Sequence, residues 1–255
     1  MTAAKPWYAE FFGEDYFRIY ESVLVPERAA REAGQIVERL GLPPGAAILD
    51  LCCGHGRLSI PLALAGYRVT GLDLSQVFLD RARRDAAEAG AEIRWVRSDM
   101  REIPFEAEFD AVINMFTAFA YLETKGEDQK VLDGVCRALK PGGLFLLENV
   151  LRESIMRGFL PYDVTRLADD IVAVHEREFD LRSSRMNDRV TLFHPGGART
   201  EYATSMRFYT FTELEEMLGV AGLVLETFWG GLDGSALHLD SRRLVLLSRK
   251  PAVSA

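Results

Sequence analysis

Five short apolar runs recur between residues 46 and 150, and helical segments separate most of them. They read AAILDL (46–51), YRVTGLD (67–73), EIRWVRS (92–98), FDAVINM (109–115) and LFLLENV (144–150). A strand covered on both faces is apolar throughout rather than alternating, so these runs predict strands of a buried parallel sheet. Pro26 suits the start of a helix reaching Leu40. Its Ala29, Ala33, Ile36 and Leu40 share one face, and Gly41 stops it. Leu58–Ala65 is a second helix, and Ser75 can cap a third carrying Phe78, Ala82, Ala86 and Ala89. Lys125–Leu139 is a fourth, with Val131, Leu132, Val135 and Leu139 on its apolar stripe; Lys140-Pro141-Gly142-Gly143 breaks it. Repeated strand–helix units predict an α/β fold, a doubly wound parallel sheet with helices on both faces.

The pattern changes after residue 165. Ile171–Leu181, Arg189–Phe193 and Thr200–Tyr209 read as extended, separated by turns at Ser183-Ser184 and Pro195-Gly196-Gly197. They mix polar and aromatic residues, as expected of antiparallel strands with one wet face. Thr210 and Glu213 then form a capping-box pattern that opens a helix over Phe211–Ala221. LVLETFW (223–229) and RRLVLLS (242–248) are two final strands.

The chain has 255 residues, 48% of them hydrophobic, enough for a full core. Its net charge is −8 and its pI about 5.2. Duplex binding needs a concentrated basic face, and the short cluster Arg81-Ala82-Arg83-Arg84 is cut by acids, so nucleic acid is not expected as a partner. Met1–Lys5 is short and polar with no apolar run behind it, so no signal peptide is expected. No run approaches the ~20 apolar residues of a membrane-spanning helix. Cys52, Cys53 and Cys136 make a poor disulfide framework, and reduced thiols fit a cytoplasmic protein.

The stretch ILDLCCGHGRLS (48–59) places a glycine turn between a buried strand and a helix start. Ligands of open parallel sheets bind outside the carboxyl ends of the strands. Adjacent Cys52 and Cys53 point to opposite sides and no second ligand pair follows, which argues against a metal. No Gly-Lys-Ser/Thr follows for a phosphate loop, and Ser59 stands where a dinucleotide fingerprint needs its third glycine. The second strand ends at Asp73, 17 residues beyond Gly56, where an acid can accept both bonds of a ribose diol or cap the next helix. The third ends at Asp99, which could accept from an exocyclic amine, with Met100 placed to lie against a flat ring.

The series ILDLCCGHG, VTGLDLS, RSDM, FDAVINMFTAF and ALKPGGLFLLE resembles the class I S-adenosylmethionine-dependent methyltransferases through residues 46–150, and again in the last helix and two strands. Cys52 departs from the glycine usual in the first motif. The resemblance implies a Rossmann-like seven-stranded sheet with the last strand antiparallel, plus an inserted antiparallel β segment. It implies one methyltransferase domain over 1–255: an N-terminal helical lid (1–45), a cofactor-binding core (46–150), the insertion (151–209), and a closing helix and hairpin (210–250). It implies S-adenosylmethionine as cofactor and S-adenosylhomocysteine as product. Asp50 and the turn Cys52–Gly54–Gly56 would hold the methionine part, Asp73 the ribose, and Leu74 would flank the adenine. Asp99 would meet the adenine amine beside Met100, with Asn114 and Met115 near the sulfonium. Arg57, read as an exposed first-turn helix residue, could hold the cofactor carboxylate.

Methyl transfer is an in-line displacement that depends on positioning, and a base is needed only where the acceptor must lose a proton. The sequence therefore fixes no catalytic residue. WYAEFFGEDYFRIY (7–20) carries seven aromatics and reads as a lid, with Tyr16 or Tyr20 reaching inward, or as a plain amphipathic helix. Phe116, Phe119, Tyr121, Arg207 and Tyr209 are further candidates to line an acceptor pocket. His175, His194 and His238 are candidate bases, and His55 is expected to act through its backbone. A small-molecule N, O or C acceptor is expected. The inserted strands could also pair with a second subunit. An NAD(P)-dependent oxidoreductase and a non-catalytic S-adenosylmethionine-binding protein are the alternatives.

Overall fold

The structure, a computed structural model, describes residues 6–252; the polar start Met1–Lys5 lies outside the described residues. Two short helices, α1 (Tyr8–Phe11) and α2 (Glu14–Tyr20), precede α3 (Pro26–Leu40). Then come β1 (Ala47–Leu51), α4 (Ser59–Leu64), β2 (Arg68–Asp73), α5 (Gln76–Ala89), β3 (Arg94–Arg97), β4 (Phe109–Asn114), α6 (Lys125–Ala138) and β5 (Leu139–Val150). Helix α7 (Arg152–Arg157) leads into β6 (Tyr162–Arg166), β7 (Val172–Asp180), β8 (Arg185–Phe193) and β9 (Arg199–Arg207). Helix α8 (Phe211–Val220), β10 (Val224–Trp229) and β11 (Arg243–Arg249) complete the order.

The large sheet runs β10-β11-β5-β4-β1-β2-β3. All strands are parallel except β11, which runs against both neighbours. Alternate side chains serve opposite faces. Leu49, Leu51, Val112, Phe145 and Leu147 pack under α6 and α8, whereas Ile48, Ala111, Ile113, Leu144 and Leu146 pack against α3 and α4. Helix ends follow their sequence signals. Gly41 closes α3 at φ 60°, Ser75 Oγ accepts from Phe78 N–H at the start of α5, and the Thr210–Glu213 capping box opens α8.

The remaining four strands form a separate antiparallel sheet, β6-β7-β8-β9. One face buries Ile171, Ala173, Val190 and Leu192 against Ile19 of α2. Tyr202 donates its hydroxyl to Asp15 Oδ2 at 2.7 Å. Arg207 N–H donates to Ala120 O at 3.1 Å, and the Arg185 guanidinium donates to the carbonyls of Leu122 and Glu123. This sheet is thus tied to α2 and to the loop after β4.

Three boundaries differ from the sequence reading. β5 begins at Leu139 rather than 144, because Gly142 and Gly143 exchange backbone bonds with Lys250. β8 begins at Arg185 rather than 189, since its polar first half is held between β7 and β9. β6 was not foreseen: it is a five-residue edge strand whose two apolar side chains, Tyr162 and Val164, stay exposed.

Candidate active site

Strand order reverses between β1 and β4, and a crevice opens at their carboxyl ends. A cavity of about 990 Å³, partly open to solvent, lies there. Asp50, Cys52 and Gly54 come from the β1 turn, Asp73 and Leu74 from β2, Asp99 and Met100 from β3, and Met115 and Phe116 from β4. Tyr8, Phe12 and Tyr16 roof it.

The turn after β1 is held in left-handed backbone, with φ of 62° at Cys52, 57° at Gly54 and 80° at Gly56. Gly54 N–H donates to Asp73 Oδ2 and Ser75 N–H to Asp73 Oδ1, both at 2.8 Å. Asp73 therefore ties the glycine turn to the start of α5 while facing the cavity, and burial raises its pKa. Ser59 Oγ donates to Asp50 Oδ2 at 2.6 Å, and burial pushes the Asp50 carboxyl up to about 6. A Cβ on Gly56 would come within 2.8 Å of the Trp95 indole, so packing demands glycine there. Cys52 Sγ lies 3.6 Å from Met100 Sδ.

Two charged candidates already have partners. Burial opposes ionisation of Asp99, but Arg101 outweighs it, with Nε on Oδ1 at 3.0 Å and Nη2 on Oδ2 at 2.7 Å, and holds the pKa low. Arg57 is not the exposed helix residue expected from sequence. α4 starts at Ser59, and the half-buried Arg57 pairs with the buried Glu32, which also accepts Arg28 Nε at 2.7 Å. The Arg57 guanidinium also lies 5.3 Å from the Phe116 ring centre.

Other candidates stand off the cavity wall. Asn114 is buried behind the turn, donating Nδ2 to Leu51 O at 3.0 Å. Phe119 is buried in the core beside Tyr209, whose hydroxyl donates to Asp128 Oδ2 at 2.7 Å. Arg207 reaches the Glu123 carbonyl, so Arg207 and Tyr209 anchor the inserted sheet. Rings that follow a strand read alike whether they face a pocket or a core; only tertiary burial separates them. Tyr20 stands beside Tyr16, with ring centres 4.7 Å apart. His175 Nδ1 lies 2.8 Å from Asp188 Oδ2, His194 Nε2 lies 3.1 Å from Thr200 Oγ1, and His238 Nδ1 accepts from Asp240 N–H. His55 lines the cavity, its ring centre lies 5.0 Å from that of Phe17, and burial pushes its pKa down to about 4.

Sequence reasoning missed Phe12, Phe78 and Tyr8 on the cavity wall, and Glu32 behind Arg57. Phe12 and Tyr8 sit in the aromatic run that pointed here as a whole, and Phe78 looked like an ordinary core position of its helix. Glu32 left no local signal, since its partner is 25 residues away. Among the described residues no group of three or more His, Cys, Asp or Glu could hold a metal ion. Nor is any helix long and apolar enough to cross a membrane.

A family model described as a methyltransferase domain matches residues 48–143. The dTDP-4-amino-2,3,4,6-tetradeoxy-D-glucose N,N-dimethyltransferase of Saccharopolyspora spinosa is 26% identical over 239 residues, 91% of this chain and 94% of that protein. The CcbJ methyltransferase of Streptomyces caelestis shares the fold, with a TM-score of 0.81, 22% identity, and coverage of 94% of this chain and 98% of that one. S-adenosylmethionine-bound CalS10, an amino pentose methyltransferase from Micromonospora echinaspora, superposes with a TM-score of 0.68 at 25% identity, covering 92% and 98%. Strand order, the position of the cavity and these likenesses agree in supporting a class I S-adenosylmethionine-dependent methyltransferase.

Proposed function

We propose that this methyltransferase acts on a small organic acceptor, at nitrogen, held between the strand tips and the aromatic roof. The observation that carries the reading is the meeting of three acidic strand tips around one cavity. The donor set suits a cationic nucleoside without phosphate: carboxylates, a thioether and aromatic faces, with the charge of Arg57 shared by Glu32.

Each oxygen of Asp73 accepts one backbone N–H, and an ionised carboxylate offers about four acceptor positions, so two remain for a ribose diol. Asp99 Oδ1 already accepts the backbone N–H and Nε of Arg101, and Oδ2 accepts Nη2, so one acceptor position on Oδ2 remains for an adenine amine, with Met100 and Leu74 flanking the ring. Asp50 and the Cys52–Gly56 turn face the amino-acid tail, Arg57 its carboxylate, and Met115 the reacting end. Asn114 supports the turn from behind through the Leu51 carbonyl. When bound, the cofactor supplies an activated methyl group on a sulfonium. The roof and strand tips exclude water and hold the acceptor in line. A nitrogen acceptor is favoured by the N,N-dimethyltransferase and the amino pentose methyltransferase that this chain resembles. A neutral amine needs no dedicated base.

Thermal shift and calorimetry test this reading. S-adenosylmethionine and S-adenosylhomocysteine are expected to stabilise the protein and NAD(P) to leave it unchanged; the reverse result rejects the reading. Asp73→Ala is expected to weaken S-adenosylhomocysteine binding by roughly 1–3 kcal/mol. Screening amines and alcohols with labelled methyl donor tests the acceptor atom. Label appearing only on oxygen overturns the nitrogen assignment.

A further inference from the structure

Six of the eight tyrosines of this protein fall into two groups. Tyr67, Tyr202 and Tyr209 donate their hydroxyls to Leu42 O at 2.8 Å, Asp15 Oδ2 at 2.7 Å and Asp128 Oδ2 at 2.7 Å. That is the usual fate of a buried phenol. Tyr16, Tyr20 and Tyr121 are largely withdrawn from bulk solvent, yet their hydroxyls meet no hydrogen-bond partner among the described residues. None of these three oxygens is sealed in protein either, so each opens onto free space.

They converge on one place. Tyr16 and Tyr121 line the cavity and are joined through Phe12, whose ring centre lies 5.2 Å from Tyr16 and 5.6 Å from Tyr121. Tyr20 is not on the cavity wall itself but packs against two residues that are, with its ring centre 4.7 Å from Tyr16 and 6.3 Å from Phe116. Burial raises the pKa of all three, so they remain neutral phenols. A neutral phenol oxygen accepts hydrogen bonds, and an aromatic face attracts a cation. A protonated primary amine brings three N–H donors; an alcohol of the same shape brings one.

We propose that Tyr16, Tyr20 and Tyr121 form the acceptor-amine subsite, their phenol oxygens receiving the N–H groups of an aliphatic ammonium while Phe12 and Phe116 meet its cationic face. This rests on the nitrogen acceptor proposed above. Because the phenols stay neutral, they orient the nitrogen without taking its proton; the ammonium gives that proton to water at the open side of the cavity before its lone pair can accept a methyl group.

The test is calorimetry on protein saturated with S-adenosylhomocysteine, using cyclohexylammonium and cyclohexanol as probes. Cyclohexylammonium is expected to bind at least about tenfold tighter than cyclohexanol, and Tyr16→Phe, Tyr20→Phe and Tyr121→Phe each to weaken it about tenfold, with cyclohexanol little changed. Equal binding of the two probes, no binding of the amine, or unchanged amine affinity in all three variants overturns the proposal. S-adenosylhomocysteine titrated into each protein reports the cofactor half separately. If it binds while the amine does not, only the amine subsite fails; if it does not bind the parent protein, the cofactor reading fails and takes the subsite with it.

Discussion

In the seven-stranded sheet the central strands are buried end to end: every residue of Ala47–Leu51 is enclosed, and α3, α4, α6 and α8 cover both faces. In the four-stranded sheet four residues, Ile171, Ala173, Val190 and Leu192, make the buried cluster, and polar bonds to α2 and the loop after β4 do much of the joining. The first arrangement fixes a rigid rim of strand tips where a cofactor can be met with sub-ångström demands. The second attaches an added sheet through contacts that can open locally without loss of the core.

The contrast can be broken most severely from the core side. Phe145→Ala removes a fully buried ring beneath α6 and α8 and is expected to lower global stability by about 3–5 kcal/mol in urea unfolding. Asp128, at the seam between the two regions, tests the contrast by pH. Burial pushes its carboxyl up to about 6, against 3.8 for the ordinary group, so between those values the folded state holds the extra proton. Stability from this group therefore falls as pH rises from about 4 to about 6, by roughly 2–3 kcal/mol. Asp128→Asn, which can still accept from Tyr209, is expected to remove that part of the slope. An unchanged pH profile rejects the assignment. In the four-stranded sheet, Leu192→Ala is expected to cost about 2 kcal/mol. Hydrogen exchange should show it as opening of β7–β9 while β1 and β4 stay protected. Tyr202→Phe, losing the Asp15 bond, is expected to cost about 1 kcal/mol and to speed exchange in α2 alone.

The same difference decides what could be read from the amino acids. Runs such as AILDL and FDAVIN announce their strands because burial on both faces leaves no room for polar residues. The acids at their tips were visible as a set for the same reason: each follows a recognisable strand. In the inserted sheet, YDVTR of β6 is exposed on both sides and carries no such pattern. Site residues were legible where backbone geometry dictates them, as at Asp73 and Gly54. They were not legible where two distant segments decide the outcome. Phe119 and Phe116 lie three residues apart, yet one is core and the other cavity wall. The Arg57–Glu32 pair joins a turn to a helix that only the finished fold brings together.

Trp95 leans into space left by two glycines: a Cβ on Gly71 would come within 2.5 Å of its ring, and one on Gly56 within 2.8 Å. The indole is not the sole constraint: Gly56 sits at φ 80°, and a Cβ on Gly71 would also come within 2.9 Å of Cys53 Sγ, so a smaller residue at position 95 leaves both glycines held. A relative that keeps the indole is held to glycine at both, whatever ligand it handles.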